Sequence, residues 1–120
     1  MKEKVIRLLE DGNLDEAKAL LDTWCEREPE NWTPWILLSG IASRTDDFSL
    51  GLRSFKNLIR IRPSSAIASS GYFSCLVHAD EKEFAQKEMI RFKAAANVEN
   101  EMSRDVLKEQ AEVLANKGWM

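Results

Sequence analysis

The single histidine, His78, is the residue best suited to acid–base chemistry, because an imidazole changes charge near neutral pH. A general base also needs a partner that holds it in position, and the carboxylates of Asp80 and Glu81 follow closely in the chain. Carboxylates at a turn are more often helix caps than catalytic partners. We therefore expect no acid–base centre, and interpret His78 either as a solvated helix end or as the edge of a binding surface.

The sequence lacks the residue patterns that nucleophilic catalysis and metal binding require. Ser69, Ser70 and Ser74 lie among alanine and glycine, where small side chains permit close helix packing. Cys25 and Cys75 stand alone among apolar neighbours, as buried thiols do, and form neither a disulfide framework nor a zinc-site spacing. There is no glycine-rich phosphate loop. We expect no enzyme, no metal site and no cofactor.

Composition favours one soluble, folded domain. The chain has 120 residues, of which 44% are hydrophobic and 31% charged, so disorder is not expected. A net charge of −3 disfavours binding to nucleic acid. The apolar runs are too short to span a bilayer, and the N-terminal residues do not resemble a secretory signal. We expect a cytoplasmic protein without a membrane or nucleic-acid partner.

An internal repeat organises the sequence. Pro29 and Pro63 lie 34 residues apart, and each ends a segment with helical periodicity. Three sets of residues recur at the same spacing: Ala17, Gly51 and Ala85; Leu21, Phe55 and Met89; and Trp24, Leu58 and Phe92. Because residues three or four apart share a helix face, the large members predict a buried stripe on alternate helices. The small members predict close contacts between paired helices.

The pattern predicts seven helices and no strand, since no segment alternates with period two. The expected helices cover residues 3–10, 14–28, 32–44, 48–62, 66–79 and 101–116, with a sixth helix that begins near residue 82. Phe55 is expected to be buried near Trp35. The last helix is expected to cover the preceding hairpin with Met102, Val106 and Leu114.

These residues resemble the tetratricopeptide repeat (TPR) family. Trp35–Leu38 is similar to that family's Trp-x-x-Leu opening, and later positions match at Asp47, Phe48, Gly51, Phe55 and Pro63. The first copy matches the second half of a repeat at Gly12–Ala17, Leu21 and Pro29. The third copy departs from the pattern, with Lys82 in place of the usual aromatic residue and Asn97 in place of the proline.

The resemblance implies an all-α fold, with about three helical hairpins and a C-terminal capping helix in a right-handed superhelical array. The expected division is one domain over 1–120, comprising a partly truncated first repeat at 1–30, a second at 31–64, a divergent third at 65–98, and a cap and tail at 99–120. It also implies a scaffold that binds peptides or partner proteins in a concave groove lined by the first helix of each hairpin. Members that hold acidic chaperone tails use a lysine and asparagines there; in this chain Lys2 fits, but Ile6 and Gly40 stand where asparagine is expected.

The candidate partner-binding residues follow from stepping along the first helices by the repeat period. They are Thr33, Ile36, Gly40, Arg44, Ile67, Ser70, Ser74, Val77 and His78. Together they describe an apolar trough of small residues with Arg44 and His78 at one edge. Arg44 is interpreted either as a partner for a carboxylate on the ligand or as a solvated helix end.

The leading hypothesis is an adaptor or small chaperone that holds a segment of another protein, for example a bacterial secretion-type chaperone. The alternative is a self-associating structural subunit, joined through Trp119 or through the ends of the repeat array. Trp119 lies next to the C-terminus, after a glycine, and two interpretations stay open. It either docks on a partner or folds back onto the last helix.

Overall fold

A computed structural model describes all 120 residues, which form seven α-helices and no strand, as the sequence predicts. The helices are α1 (Lys2–Glu10), α2 (Leu14–Arg27), α3 (Trp32–Thr45), α4 (Phe48–Ile61), α5 (Ala66–His78), α6 (Lys82–Ala95) and α7 (Glu101–Asn116). Each helix packs against its neighbours in the chain, and α7 packs against both α5 and α6. The resulting body measures 43 × 28 × 22 Å. None of the helices combines the length and apolarity needed to cross a membrane.

The 34-residue period is visible in the backbone of the tight turns. Gly12, Asp46 and Asp80 adopt left-handed conformations, with φ of 78°, 52° and 60°. The amide of the following residue donates to a carbonyl five residues earlier in each case, at 2.8, 2.9 and 2.9 Å. This hydrogen bond is typical of a helix C-terminus that is followed by a residue in the left-handed conformation. The two aspartates accept a conformation that most L-residues avoid, so the turn geometry is maintained without glycine.

Helix N-caps define where the longer connections end. The side chains of Asn31, Ser65 and Asn100 accept hydrogen bonds from first-turn amides at 3.0, 3.2 and 3.0 Å. Arginines then tie the connections to the neighbouring helix. Arg60 donates to the Pro29 carbonyl at 2.8 Å. The repeated prolines therefore end the helices and also offer carbonyls to side chains of the following unit.

The small residues of the repeat lie at helix contacts, as predicted. Ala17 and Ala85 are fully buried, and Gly51 is buried between α4 and its neighbours. A Cβ atom at Gly51 would lie 2.9 Å from the Cys75 sulfur and 3.8 Å from the Ala42 methyl group. The glycine is therefore required by the close approach of α4 to α3 and α5.

The main apolar core runs from α1 to α5, and Trp24, Trp35 and Leu58 are buried in it. The Trp35 indole also donates to the Pro29 carbonyl at 3.1 Å. The prediction of a buried Phe55 near Trp35 is wrong, because the Phe55 side chain is only half-buried. Its ring lies against the backbone of Gly71 on α5, where the missing side chain leaves room for it.

The last helix covers α5 and α6 with Val106 and Leu114, which are 6% and 1% exposed. The prediction that Met102 shares this role is wrong, since its side chain is 48% exposed. Met102 lies in the first turn of α7 directly before the buried Ser103, and its own side chain is on the outer face of the helix. Trp119 folds back: its amide donates to the Leu114 carbonyl at 2.8 Å, and its ring packs on the cluster around Leu114.

Replacing Gly51 with leucine should destabilise the fold by about 1–3 kcal/mol, because the new side chain overlaps Cys75 and Ala42. Urea unfolding followed by circular dichroism measures this difference. Gly40→Leu is the matched control, because a Cβ atom at Gly40 meets nothing within 4 Å. Equal unfolding midpoints for the two variants would show that the α3–α4–α5 contact tolerates a large residue.

Truncation after Val98 should make the protein aggregate, because it removes Val106 and Leu114 from the apolar surfaces of α5 and α6. Light scattering and thermal unfolding test this expectation. Met102→Ser in the full chain is the control and should change stability by less than about 0.5 kcal/mol, since Met102 is largely exposed. A monomeric truncated chain with an unchanged melting temperature would remove the capping role of α7.

Candidate functional site

A cavity of about 340 Å³ opens between α3, α4 and α5. Its walls combine small, aromatic and acidic residues: Ser39, Ala42, Ser43, Asp46, Asp47, Phe48, Gly51, Phe55, Ser70, Gly71, Ser74 and Cys75. The two glycines shape its floor. Any side chain at Gly71 would collide with the Phe55 ring, since a Cβ atom there would lie 2.2 Å from it.

A second cavity, of about 150 Å³, lies between α5 and α7. It is lined by Ser70, Phe73, Ser74, Val77, Val106, Glu109, Gln110 and Val113. Ser70 and Ser74 belong to both cavities, so the two spaces adjoin along one face of α5. We call the pair of cavities the groove.

The polar groups around the groove are acidic or neutral. Asp46 and Asp47 come from the α3–α4 turn, and Glu109 comes from α7. The protein's ion pairs use none of these three carboxylates. The lining of the groove is therefore acidic, with no lysine or arginine among its residues.

Three of the nine predicted contact residues line the groove: Ser70, Ser74 and Val77. Gly40 is exposed and next to open space, but lies outside the two cavities. Thr33 and Ile36 are half-buried. Ile67 is 50% exposed at the first turn of α5. A binding role for all nine predicted residues stays a prediction.

The two charged or titratable candidates lie at the edge of the site. The Arg44 guanidinium points toward α1 and donates to the Leu9 carbonyl at 3.4 Å, a long hydrogen bond. The His78 ring stacks on Phe48, with 3.7 Å between ring centroids and 15° between planes. Phe48 itself lines the larger cavity, so His78 supports its wall from outside.

Sequence reasoning missed the contributions of α7 and of the α3–α4 turn. Glu109, Gln110 and Val113 lie on a helix that the repeat period does not reach, so stepping by 34 residues does not find them. Asp46 and Asp47 are part of the recurring turn, and Asp47 is the N-cap of α4. Their repetition with Asp80 and Glu81 marks the turn, but only the packing of α5 shows that Asp46 and Asp47 line a cavity.

A buried polar layer stands directly behind the smaller cavity. Arg91 donates to both oxygens of the Glu88 carboxylate, each at 2.7 Å. The Ser69 hydroxyl donates to Glu88 at 2.6 Å, and the Gln110 amide donates to the Ser69 oxygen at 3.0 Å. Glu88, Ser69 and Gln110 are at most 3% exposed. One residue from each of α5, α6 and α7 thus joins one hydrogen-bonded chain.

This layer divides the C-terminal core into two apolar clusters. Ala66, Phe92 and Val106 form one of them. Phe73, Leu76, Ala85 and Leu114 form the other. On each helix the polar residue lies between members of the two clusters. The network therefore favours one axial alignment of α5, α6 and α7, because a shifted helix would break the Ser69–Glu88 or the Gln110–Ser69 hydrogen bond.

The two buried thiols are held in an unreactive state. Burial, with a smaller contribution from Asp22 against that of Arg53, raises the pKa of Cys25 to about 11. Burial also raises the pKa of the Cys75 thiol above its ordinary value. Both thiols therefore stay protonated at neutral pH, which disfavours nucleophilic attack. No three His, Cys, Asp or Glu side chains come together as metal ligands.

The architecture is the tetratricopeptide-repeat fold. The first TPR of Spaghetti (RPAP3), solved with the HSP90 peptide SRMEEVD, superposes with a TM-score of 0.66 at 19% identity, over 95% of this chain and 90% of that one. A MamA structure, the RS-1 ArsTM double mutant, superposes with a TM-score of 0.65 at 20% identity. That match covers 95% of this chain and 65% of the MamA chain. No protein-family model and no curated protein sequence matches this chain.

Replacing Glu88 with alanine should lower the free energy of unfolding by about 2–3 kcal/mol, because Arg91 and Ser69 lose their common acceptor. Glu88→Gln keeps the shape and one acceptor oxygen, and should cost less. Glu112→Ala, an exposed change on α7, is the control. Chemical denaturation of the three variants gives the comparison. A Glu88→Ala variant as stable as the control would contradict the structural role of the layer.

Proposed function

We propose that this protein is a binding module that holds a segment of a partner protein in the groove and catalyses no reaction. The observation that carries this proposal is the pair of adjoining cavities that share Ser70 and Ser74. Small hydroxyl side chains at these two positions leave the surface of α5 open between an aromatic wall and the side of α7. An extended chain needs such a continuous, shallow track.

The composition of the groove supports a peptide ligand. Its apolar groups, among them Phe48, Phe55 and Phe73, are suited to bury side chains of the ligand. Its hydroxyl and carboxylate groups are suited to hydrogen bonds with ligand amides. The supporting helices are joined by the buried polar layer and by packed turns. A site that keeps its shape before binding loses less conformational entropy when the ligand arrives.

The structural neighbours give independent support at the level of the fold. The TPR domain of Spaghetti (RPAP3) was solved with a bound peptide, which demonstrates that such a fold can hold one. A small adaptor or chaperone, for example of the bacterial secretion type acting in the cytoplasm, is the specific function that we propose within this class. The acidic net charge is consistent with it.

A structural subunit that associates with itself is the second candidate. Four large apolar side chains are exposed on α6, on the connection after it and at the start of α7: Phe84, Ile90, Val98 and Met102, with exposures of 54%, 65%, 64% and 48%. A concentration of exposed apolar groups between residues 84 and 102 favours an interface. Sedimentation velocity over a range of concentrations separates the candidates, because a self-associating subunit sediments faster as concentration rises.

Blocking the shared part of the groove tests the leading proposal. Peptides selected from a random displayed library on the wild-type protein should bind Ser74→Trp at least about tenfold more weakly, because the indole enters both cavities. Ala94→Trp, an exposed change on α6, should bind as the wild type does. Melting temperatures of both variants verify that they fold. Equal affinity for the wild type and Ser74→Trp would place the ligand elsewhere.

A further inference from the structure

We propose that the groove selects a partner segment with positively charged side chains and rejects acidic segments. This inference rests on the proposed function, since it specifies the ligand of the same site. It is carried by the charge of the lining, by the positions of its carboxylates and by an unsatisfied acceptor in the smaller cavity.

All the charged side chains that line the groove are negative. Asp46 and Asp47 lie at the α3–α4 end, and Glu109 lies on the α7 side. None takes part in an ion pair. Arg44, the nearest cation in the predicted trough, leans toward α1 and does not line either cavity. A carboxylate on the ligand would therefore meet like charges, whereas a lysine or arginine would meet free carboxylates.

The turn fixes the backbone at Asp46, and a hydrogen bond orients the carboxylate of Asp47 before any ligand binds. Asp46 is locked in the left-handed conformation with φ of 52°. One Asp47 oxygen accepts the Leu50 amide at 3.0 Å as the N-cap of α4. This capping bond leaves the second Asp47 oxygen free for a donor. Carboxylates that are already oriented lose little side-chain freedom when they bind a cation.

The wall of the smaller cavity contains a buried neutral acceptor. Gln110 is 2% exposed, and its amide nitrogen donates to Ser69. Its carbonyl oxygen, Oε1, has no hydrogen-bond partner in the protein. A buried acceptor without a partner is destabilising, so a donor that reaches it gains more than an exposed hydrogen bond would. An ammonium group, a guanidinium group or a backbone amide supplies such a donor, and a carboxylate does not.

The peptide held by the Spaghetti TPR domain has the opposite character. Its sequence, SRMEEVD, includes three acidic residues. Shared architecture does not transfer this preference, because the side chains that line a groove vary independently of the helices that build it. The groove of the present chain offers acceptors, whereas an acidic peptide needs donors, so we expect SRMEEVD to bind poorly.

Two fluorescent pools of short peptides test the charge preference on the full chain. Both pools carry a mixture of Ala, Ser, Val, Leu and Phe at the variable positions, with lysine at two fixed positions in one pool and glutamate in the other. The lysine pool should bind at least about tenfold more tightly by fluorescence anisotropy at low salt, and the advantage should shrink as salt screens the charges. The SRMEEVD peptide serves as a third probe.

Neutralising variants connect the preference to the groove. Asp46→Asn, Asp47→Asn and Glu109→Gln should each weaken binding of the lysine pool by roughly two- to fivefold. Asparagine tolerates the left-handed turn and serves as an N-cap, so the first two changes keep the local structure. Asp80→Asn repeats the Asp46 change at the equivalent turn, outside the groove, and Glu112→Gln repeats the Glu109 change on an exposed face of α7. Both controls should bind as the wild type does.

The outcomes separate this inference from the function on which it rests. If the glutamate pool or SRMEEVD binds as tightly as the lysine pool, and Ser74→Trp abolishes that binding, the charge preference is wrong and the groove function stands. If no probe binds, or if Ser74→Trp leaves binding intact, the groove function itself fails and the preference fails with it. Equal losses in the groove variants and in their controls would also overturn the preference.

Discussion

The buried carboxylate of Glu88 is the interaction on which the C-terminal half of the protein depends. It accepts hydrogen bonds from Arg91 and Ser69, and Gln110 joins the network through Ser69. A buried polar group is costly without its hydrogen-bond partners, so the bonds from Ser69 to Glu88 and from Gln110 to Ser69 favour one axial alignment of α5, α6 and α7. Apolar clusters on either side stabilise the three helices, but they permit small shifts that the polar layer does not.

The same alignment produces the groove. Ser69 turns inward to Glu88, while Ser70 and Ser74 on the same helix face the two cavities. Gln110 belongs both to the polar layer and to the wall of the smaller cavity. Stability and binding are therefore coupled through adjacent residues of α5 and α7. A change in the layer is expected to alter the groove, whereas a change on the groove surface leaves the layer intact.

Repetition explains the rest of the architecture. The left-handed residues Gly12, Asp46 and Asp80 recur at the 34-residue period and close successive hairpins with the same hydrogen bond. Buried small residues on α2, α4 and α6 then set the close approach within the array. The turn at Asp46 and Asp47 acquires a second role because α5 packs beside it and encloses the larger cavity. This turn, which is part of the repeat and helps the chain to fold, is thereby also available to contact a ligand.

The sequence by itself determined the number and type of the helices. The spacing of the prolines, the recurring small residues and the apolar periodicity are local signals that can be seen directly in the order of the residues. It also indicated Ser70, Ser74 and Val77 as groove residues, since α3 and α5 obey the repeat. Only the tertiary structure decided that Phe55 packs on Gly71, that Trp119 folds back and that Glu88 is buried. A glutamate on an amphipathic helix usually faces water. The burial of Glu88 depends on Ser69 of α5, which lies 19 residues before it in the chain. Ser69 in turn accepts a hydrogen bond from Gln110 of α7, 41 residues further along the chain. Contacts at such separations leave no periodic trace in the sequence, because they arise only when the three helices pack together.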